Sequence, residues 1–257
     1  MLLALDIGNT KIFLGIFNGR KLVCSNRISS DIRGTSGQYR SEISRIIEQA
    51  EVNPRQIKGV IISSVVPALN PVFKNVFLRW LKLRPLFISA RLKTIVNIKC
   101  NNPFEVGADR IAVAAGAWRI YNKKPLIVVD FGTAVTFDVV NNKGDYLGGV
   151  IAPGMEISSM ALSEKTALLP LIKIRKPLRV VGKNTVECIE AGIYYGFMGM
   201  VKEIIERIKR ETGIAPVIIA TGGYAGFMAK ELPLFDRVHT GLVLEGMRLI
   251  WEENMGT

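Results

Sequence analysis

Residues 1–19 read MLLALDIGNTKIFLGIFNG. An apolar run from Leu2 to Leu5 reaches Asp6, is broken by Gly8, Asn9 and Thr10, and resumes at Ile12. This is a strand, a tip and a second strand, and the tip has two readings. It is an ordinary turn, or it is a phosphate-handling loop. In a loop of that kind glycine lets backbone N–H groups come close to an anion, and the threonine hydroxyl adds a donor. The aspartate cannot bind phosphate directly, so it would act through a cation or a water.

A second stretch bears on the choice. Residues 2–19, LLALDIGNTKIFLGIFNG, and residues 127–144, IVVDFGTAVTFDVVNNKG, each run from a buried strand through D-x-G and a threonine into an apolar strand and an Asn/Gly turn. Asp6 and Asp130 lie 124 positions apart, about half of the 257 residues. One D-x-G favours the plain turn. Two, at the openings of two halves, favour a pair of anion-cradling hairpins facing a cleft.

The rest of the chain fits a duplicated α/β fold, because apolar strand runs alternate with segments of helical spacing. Strands are expected at Leu2–Leu5, Ile12–Phe17, Lys21–Val23, Val60–Val66, Pro85–Ile88, Leu126–Val129, Tyr146–Ala152 and Val217–Ala220. Helices are expected at Gly37–Ala50, Asn70–Trp80, Asp109–Tyr121, Val186–Glu211 and Leu242–Glu253. Asn18-Gly19 reads as a two-residue hairpin turn with φ > 0 at both positions. The domains are set at residues 1–118, with the phosphate loop, and 119–257.

Composition narrows the function classes. A hydrophobic content of 49% supplies ample core, and the net charge of +12 suits an anionic partner: a nucleotide, a nucleic acid or an acidic metabolite. The densest basic stretch, Lys173–Lys183, reads as a solvated or substrate-facing segment rather than a nucleic-acid patch. Cys24, Cys100 and Cys188 are widely spaced and His239 is the single histidine, which disfavours a zinc site or a disulfide framework and points to a reducing cytoplasm. No run reaches the roughly 18 apolar residues of a spanning helix, and no membrane partner is expected.

Two further motifs carry chemistry. Glu105-Val106-Gly107-Ala108-Asp109-Arg110 directly precedes the apolar run IAVAAGAW. Asp109 there is a first-turn residue meeting the helix dipole, or a general base on a glycine-flexed loop with Arg110 holding an acidic group. Thr221-Gly222-Gly223-Tyr224-Ala225 follows the strand VIIA and suits a flat ligand such as adenine lying on bare backbone. Neither G-x-x-x-x-G-K-[ST] nor a G-x-G-x-x-G opening a helix after the first strand occurs, so an ATP site must be of the two-hairpin kind.

DIGNT, NPFEVGADR, DFGTAVTFD, GGVIAPG, VGKNTVECIEAGIYYG, TGGYA and GLVLEGMRLI occur in this order. Together they resemble type III pantothenate kinases, members of the acetate and sugar kinase, Hsp70 and actin superfamily, over essentially the whole chain. The resemblance implies duplicated actin-like, ribonuclease H-like domains with the active site between them. It implies ATP-dependent phosphorylation of the primary hydroxyl of pantothenate to 4'-phosphopantothenate, the first step toward coenzyme A. Carried over by position, Asp6, Ile7, Gly8, Asn9, Thr10, Lys11, Ile12 and Phe13 form the ATP phosphate loop, with Asp6 near magnesium, and Thr133 contacts ATP. Gly107, Ala108, Asp109 and Arg110 line pantothenate with Asp109 as proton acceptor. Asp130 binds a monovalent cation, potassium or ammonium, and Thr185 contacts pantothenate from across a homodimer interface. The chain departs from the family at Cys100, where a tyrosine that packs on pantothenate is common. Two alternatives remain: a non-catalytic transcription accessory homologue, for which nucleic acid would be the partner, and a superfamily kinase acting on another hydroxyl. Asp6, Asp109, Arg110 and Asp130 argue against the first, and GADR argues against the second.

Overall fold

The computed structural model describes residues 1–122 and 124–256. The chain divides into two compact units. One is built from the stretch before Lys124 together with Gly144–Tyr146 and the chain from Gly241 onward; the other comprises Lys124–Lys143 and Leu147–Thr240.

The first unit opens with β1 (Leu2–Ile7), β2 (Lys11–Asn18) and β3 (Lys21–Ser29), followed by α1 (Ser36–Gln49), β4 (Gly59–Ser64), α2 (Asn70–Trp80), β5 (Leu86–Phe87), β6 (Asn97–Ile98) and α3 (Ala108–Ile120). The sheet order is β3-β2-β1-β4-β5, antiparallel across β1–β2–β3 and parallel from β1 through β4 to β5. Period-2 alternation sends Leu3, Leu5 and Ile7 of β1 to one face, where they join Ile12, Leu14 and Ile16 of β2. Tyr39, Ile43, Ile46 and Ile47 of α1 and Phe73, Val76 and Phe77 of α2 close that core. Each such side chain contributes roughly 1.5–3 kcal/mol on burial. Asp6 belongs to the opposite face. α1 starts where the sequence supplies a capping box, with Thr35 accepting from the Gln38 amide and the Gln38 side chain accepting from the Thr35 amide.

The turn between β2 and β3 is Gly19-Arg20, not Asn18-Gly19. Asn18 pairs with Lys21 inside the ladder, and only Gly19 of the three takes positive φ, at 57°. A register shift between Ile16 and Phe17 moves the turn one residue on, and glycine then occupies the first turn position, where a type II′ turn needs it.

The second unit carries β7 (Leu126–Phe131), β8 (Ala134–Val140), β9 (Asp145–Pro153), α4 (Met155–Lys165), α5 (Thr185–Thr212), β10 (Val217–Gly222), α6 (Ala225–Glu231) and β11 (Arg237–Val238). Its strands β9-β8-β7-β10-β11 repeat the order of the first sheet strand for strand, and β6 pairs in parallel with Asp145 and Tyr146 at the start of β9, residues that belong to the first unit. β7–β8 is antiparallel and β7–β10–β11 parallel. The core joins Ile127, Val129 and Phe131 to Ile189, Ile193, Phe197 and Val201 of α5. α5 ends on Gly213 at φ 65°, a left-handed cap that only glycine adopts readily.

The last helix, α7 (Leu242–Met255), packs on the first unit. Gly246 lies so close to Ala112 of α3 that a Cβ there would overlap the Ala112 carbonyl oxygen, and Gly116 faces it from α3. Leu244 fills the space over Gly15, and Trp251 covers Gly59. No helix among the described residues is long and apolar enough to cross a membrane.

Candidate active site

In the first unit the residues singled out from the sequence gather at one end of the sheet. β1 ends on Asp6-Ile7 and β2 begins at Lys11, so Gly8, Asn9 and Thr10 form the tip, with Asn9 and Thr10 exposed. Gly8 N–H donates to the Lys11 carbonyl at 3.1 Å, and a Cβ on Gly8 would sit 3.0 Å from that oxygen. A side chain at this position would fit only if the Lys11 carbonyl gave way by a few tenths of an ångström. Asp6 pairs across the hairpin with Phe13 and in parallel register with Ser63 of β4. The fully buried Ser63 hydroxyl donates to Asp6 Oδ1 at 2.8 Å. Arg27, opposite Phe13 on β3, places its guanidinium 4.0 Å from the Phe13 ring centroid.

The GADR segment reaches the same end of the sheet. Val65 N–H donates to the Ile7 carbonyl at 3.0 Å, and a Cβ built on Gly107 would meet a Val65 methyl at 3.7 Å. Gly107, at the start of α3, thus lies beside Val65, the residue hydrogen-bonded to the end of β1. Gly107 is the N-cap of α3 without any side-chain cap, and Asp109 lies in the first turn. Asp109 lies in the first turn at the positive end of the helix and is half-buried. Burial raises the Asp109 carboxyl above the ordinary carboxylate value, opposed in part by a hydrogen bond from the Arg110 main-chain N–H and by the Arg110 charge. Arg110 also lies 5.8 Å over the ring of Tyr146, a fully buried side chain whose carbonyl accepts from Lys99 N–H at 2.9 Å.

In the second unit the corresponding hairpin is one residue shorter at its tip. β7 ends on Asp130-Phe131, β8 begins at Ala134, and Gly132 N–H donates to the Ala134 carbonyl at 3.1 Å. Asp130 accordingly pairs with Thr136, six positions on, whereas Asp6 pairs with Phe13, seven on. Gly222 ends β10 beside β7 at φ 91°, and its α-carbon is pressed on the Asp130 carboxylate so closely that a Cβ would overlap Oδ1. Gly154, which opens α4, donates its N–H to the Thr133 carbonyl at 3.0 Å and likewise leaves no room for a Cβ. Two glycines, Gly222 and Gly154, therefore hold backbone tightly against Asp130 and Thr133. Tyr224 N–H donates to the Phe131 carbonyl at 3.3 Å, and its hydroxyl donates to Glu156 Oε1 at 2.6 Å. Burial, then that bond and the negative charge of Glu156, push the Tyr224 phenol up to about 12.

Thr185 stands apart from this group. It opens α5 behind the Asn184 cap and lines an open, largely apolar groove with Leu162, Cys188, Gly192, Gly196 and Met200. Sequence reasoning missed Ser63 and Tyr146. Ser63 sits in an apolar run and Tyr146 near the start of a strand, so neither stands out until the fold sets it beside a charged side chain.

Among the described residues no group of three His, Cys, Asp or Glu could hold a metal ion. A single half-buried carboxylate such as Asp6 fits a magnesium ion that keeps its other ligands as waters and phosphate oxygens. Asp130, with Gly222 packed on its carboxylate, offers one carboxylate to a cation.

A sequence model of type III pantothenate kinase matches residues 2–207. The chain is 44% identical over 254 residues to the type III pantothenate kinase of Moorella thermoacetica, covering 99% of this chain and 100% of that one. Among solved structures it resembles a conserved putative Baf family transcriptional activator from Campylobacter jejuni, with a TM-score of 0.63 and 20% identity over 99% of this chain and 100% of the other. It also resembles the activator of 2-hydroxyisocaproyl-CoA dehydratase from Clostridium difficile with bound ADPNP, with a TM-score of 0.56 and 17% identity over 96% and 92%. The fold is that of the actin-like ATPases and sugar kinases.

Proposed function

We propose a division of labour among the residues of this chain, which belongs to the type III pantothenate kinase family and phosphorylates pantothenate with ATP on the way to coenzyme A. Asp109 is the general base. It takes the proton from the primary hydroxyl of pantothenate as that oxygen attacks the γ-phosphoryl group, and Arg110 holds the pantothenate carboxylate with Gly107 and Ala108 alongside. The observation that carries this reading is the half-buried Asp109 carboxylate, raised in pKa by burial and two residues on from Gly107, which lies beside the Val65 that hydrogen-bonds to Ile7 at the end of β1. A base poised above the ordinary carboxylate range is more effective toward an alcohol than a solvated one.

The nucleotide roles fall to hairpin residues. Gly8 to Phe13 cradle the phosphates, Asp6 stands on the magnesium side, and Thr133 contacts the nucleotide. A kinase of this family uses a divalent metal such as magnesium with ATP, and that metal neutralises the charge of the transferring phosphoryl group. Asp130 holds a monovalent cation, potassium or ammonium. Phosphoryl transfer through a loose transition state depends on positioning and charge neutralisation more than on covalent help. Those are the two services this residue set supplies.

Thr185 contacts pantothenate from a second copy of the chain. Support comes from α5, where Gly192, Gly196 and Gly199 have open space above them beside an apolar groove. A cytoplasmic location belongs to the same reading, supported by the wide sequence spacing of Cys24, Cys100 and Cys188, which forms no C-x-x-C pair. The deciding experiment incubates the protein with ATP, magnesium, potassium and pantothenate and detects phosphopantothenate by mass. The Asp109→Asn protein should form it at least a hundredfold more slowly. Turnover near that of the unaltered protein would take the base role away from Asp109.

A further inference from the structure

We propose that Ser63 is a positioning residue for Asp6, setting the orientation in which that carboxylate meets the metal-bound nucleotide. The proposal rests on the reading of Asp6 as the metal-side carboxylate.

Three observations carry it. Ser63 interrupts the apolar run of β4, following Val60, Ile61 and Ile62, and is fully buried. A buried hydroxyl without a partner costs about 1–3 kcal/mol, so in such a strand a serine is costly unless its hydroxyl is used. Its hydroxyl donates to Asp6 Oδ1 at 2.8 Å. The direction of that bond follows from chemistry, because an ionised carboxylate only accepts. Finally, parallel pairing sets Asp6 opposite Ser63, with Ala4 opposite Ile61 and Leu2 opposite Gly59 along the same face. A slip of one residue would turn Ser63 to the α1–α2 core, so the strand register itself fixes the contact.

The carboxylate torsion of aspartate is broad and two-fold, which leaves an unsupported Asp free to rotate at a strand end. A rigid donor on the neighbouring strand selects one orientation. The cost of orienting the carboxylate is then met in folding rather than in each binding event, which is where preorganised sites gain affinity.

The test compares Ser63→Ala, Ser63→Thr and Asp6→Asn by calorimetric titration with magnesium–ATP and with ATP in excess chelator. If Ser63 orients Asp6, Ser63→Ala weakens magnesium–ATP binding about tenfold and leaves metal-free ATP binding within about twofold, the scale of one charge-assisted hydrogen bond. Ser63→Thr keeps the hydroxyl and restores the metal preference, and adding Ser63→Ala to Asp6→Asn causes no further loss. Unaltered metal-free ATP binding also reports that the alanine variant is folded. The proposal is overturned if Asp6→Asn loses the metal preference while Ser63→Ala retains it, or if Ser63→Ala weakens both nucleotide forms equally. If Asp6→Asn itself keeps the preference, the reading of Asp6 fails, and the proposal goes with it by a separate and recognisable result.

Discussion

The main-chain N–H of Arg110 donates to Asp109 Oδ1 at 2.8 Å, within the first turn of α3. That bond and the Arg110 charge favour the ionised carboxylate, yet burial outweighs them and the Asp109 pKa stands above its ordinary value of 3.8. A base titrating there sets the acid side of the rate profile. The logarithm of kcat/KM for pantothenate should fall with unit slope on acidification, with its midpoint above 3.8. A profile that stays flat down to the ordinary carboxylate range would contradict the assignment.

The same shift makes a stability prediction of opposite sign to the activity loss. A carboxyl whose folded-state pKa is raised binds its proton more tightly in the folded protein. Its favourable contribution is largest below the unfolded value and is lost as pH rises through the folded one. Asp109→Asn removes the buried charge and keeps an acceptor for the Arg110 N–H. Its melting temperature at neutral pH should therefore equal or exceed that of the unaltered protein, the advantage shrinking toward the unfolded pKa. Calorimetry at neutral and acidic pH checks this, and a lower melting temperature at neutral pH would mean that Asp109 is structural.

Most of the fold was legible because its strongest signals are local. The boundaries of α2 were readable in full, and the D-x-G repeat announced a duplication that reappears as matching strand orders. What stayed hidden is what pairing and packing decide. The amphipathic pattern of Leu242–Met255 reports a buried face but not that Gly116 and Gly246 seat it against α3. Ser63 reads as an unremarkable strand residue until parallel register brings it to Asp6. The extra residue in the first hairpin tip was written in the aligned motifs, but its effect on the pairing partners of Asp6 and Asp130 needed the ladder. GADR was legible as a motif; that burial dominates the titration of its aspartate was not.

Gly222 offers a test of the Asp130 corner. At φ 91° any L side chain is strained, and a Cβ would press on Asp130 Oδ1 and on the Phe131 backbone. Gly222→Ala should destabilise the protein by about 1–3 kcal/mol. If Asp130 holds the monovalent cation, the potassium concentration for half-maximal activity should also rise several-fold, read by titrating potassium at saturating pantothenate. A fall in melting temperature with unchanged potassium dependence would leave the glycine with a purely structural role.

Thr185 and Asp109 can be tested for action in different copies. Both groups belong to one pantothenate site in the proposed dimer, but each site would draw them from opposite subunits. Asp109→Asn and Thr185→Val proteins, each deficient alone, should then complement when subunits exchange. Every mixed dimer carries one site with both native groups, so an equal mixture regains about a quarter of the unaltered activity. Recovery should follow the kinetics of exchange and disappear when the dimers are cross-linked before mixing. A dimer that exchanges freely, as shown by mass-labelled subunits, and yet regains nothing would place Thr185 and Asp109 in the same chain's site or remove Thr185 from it.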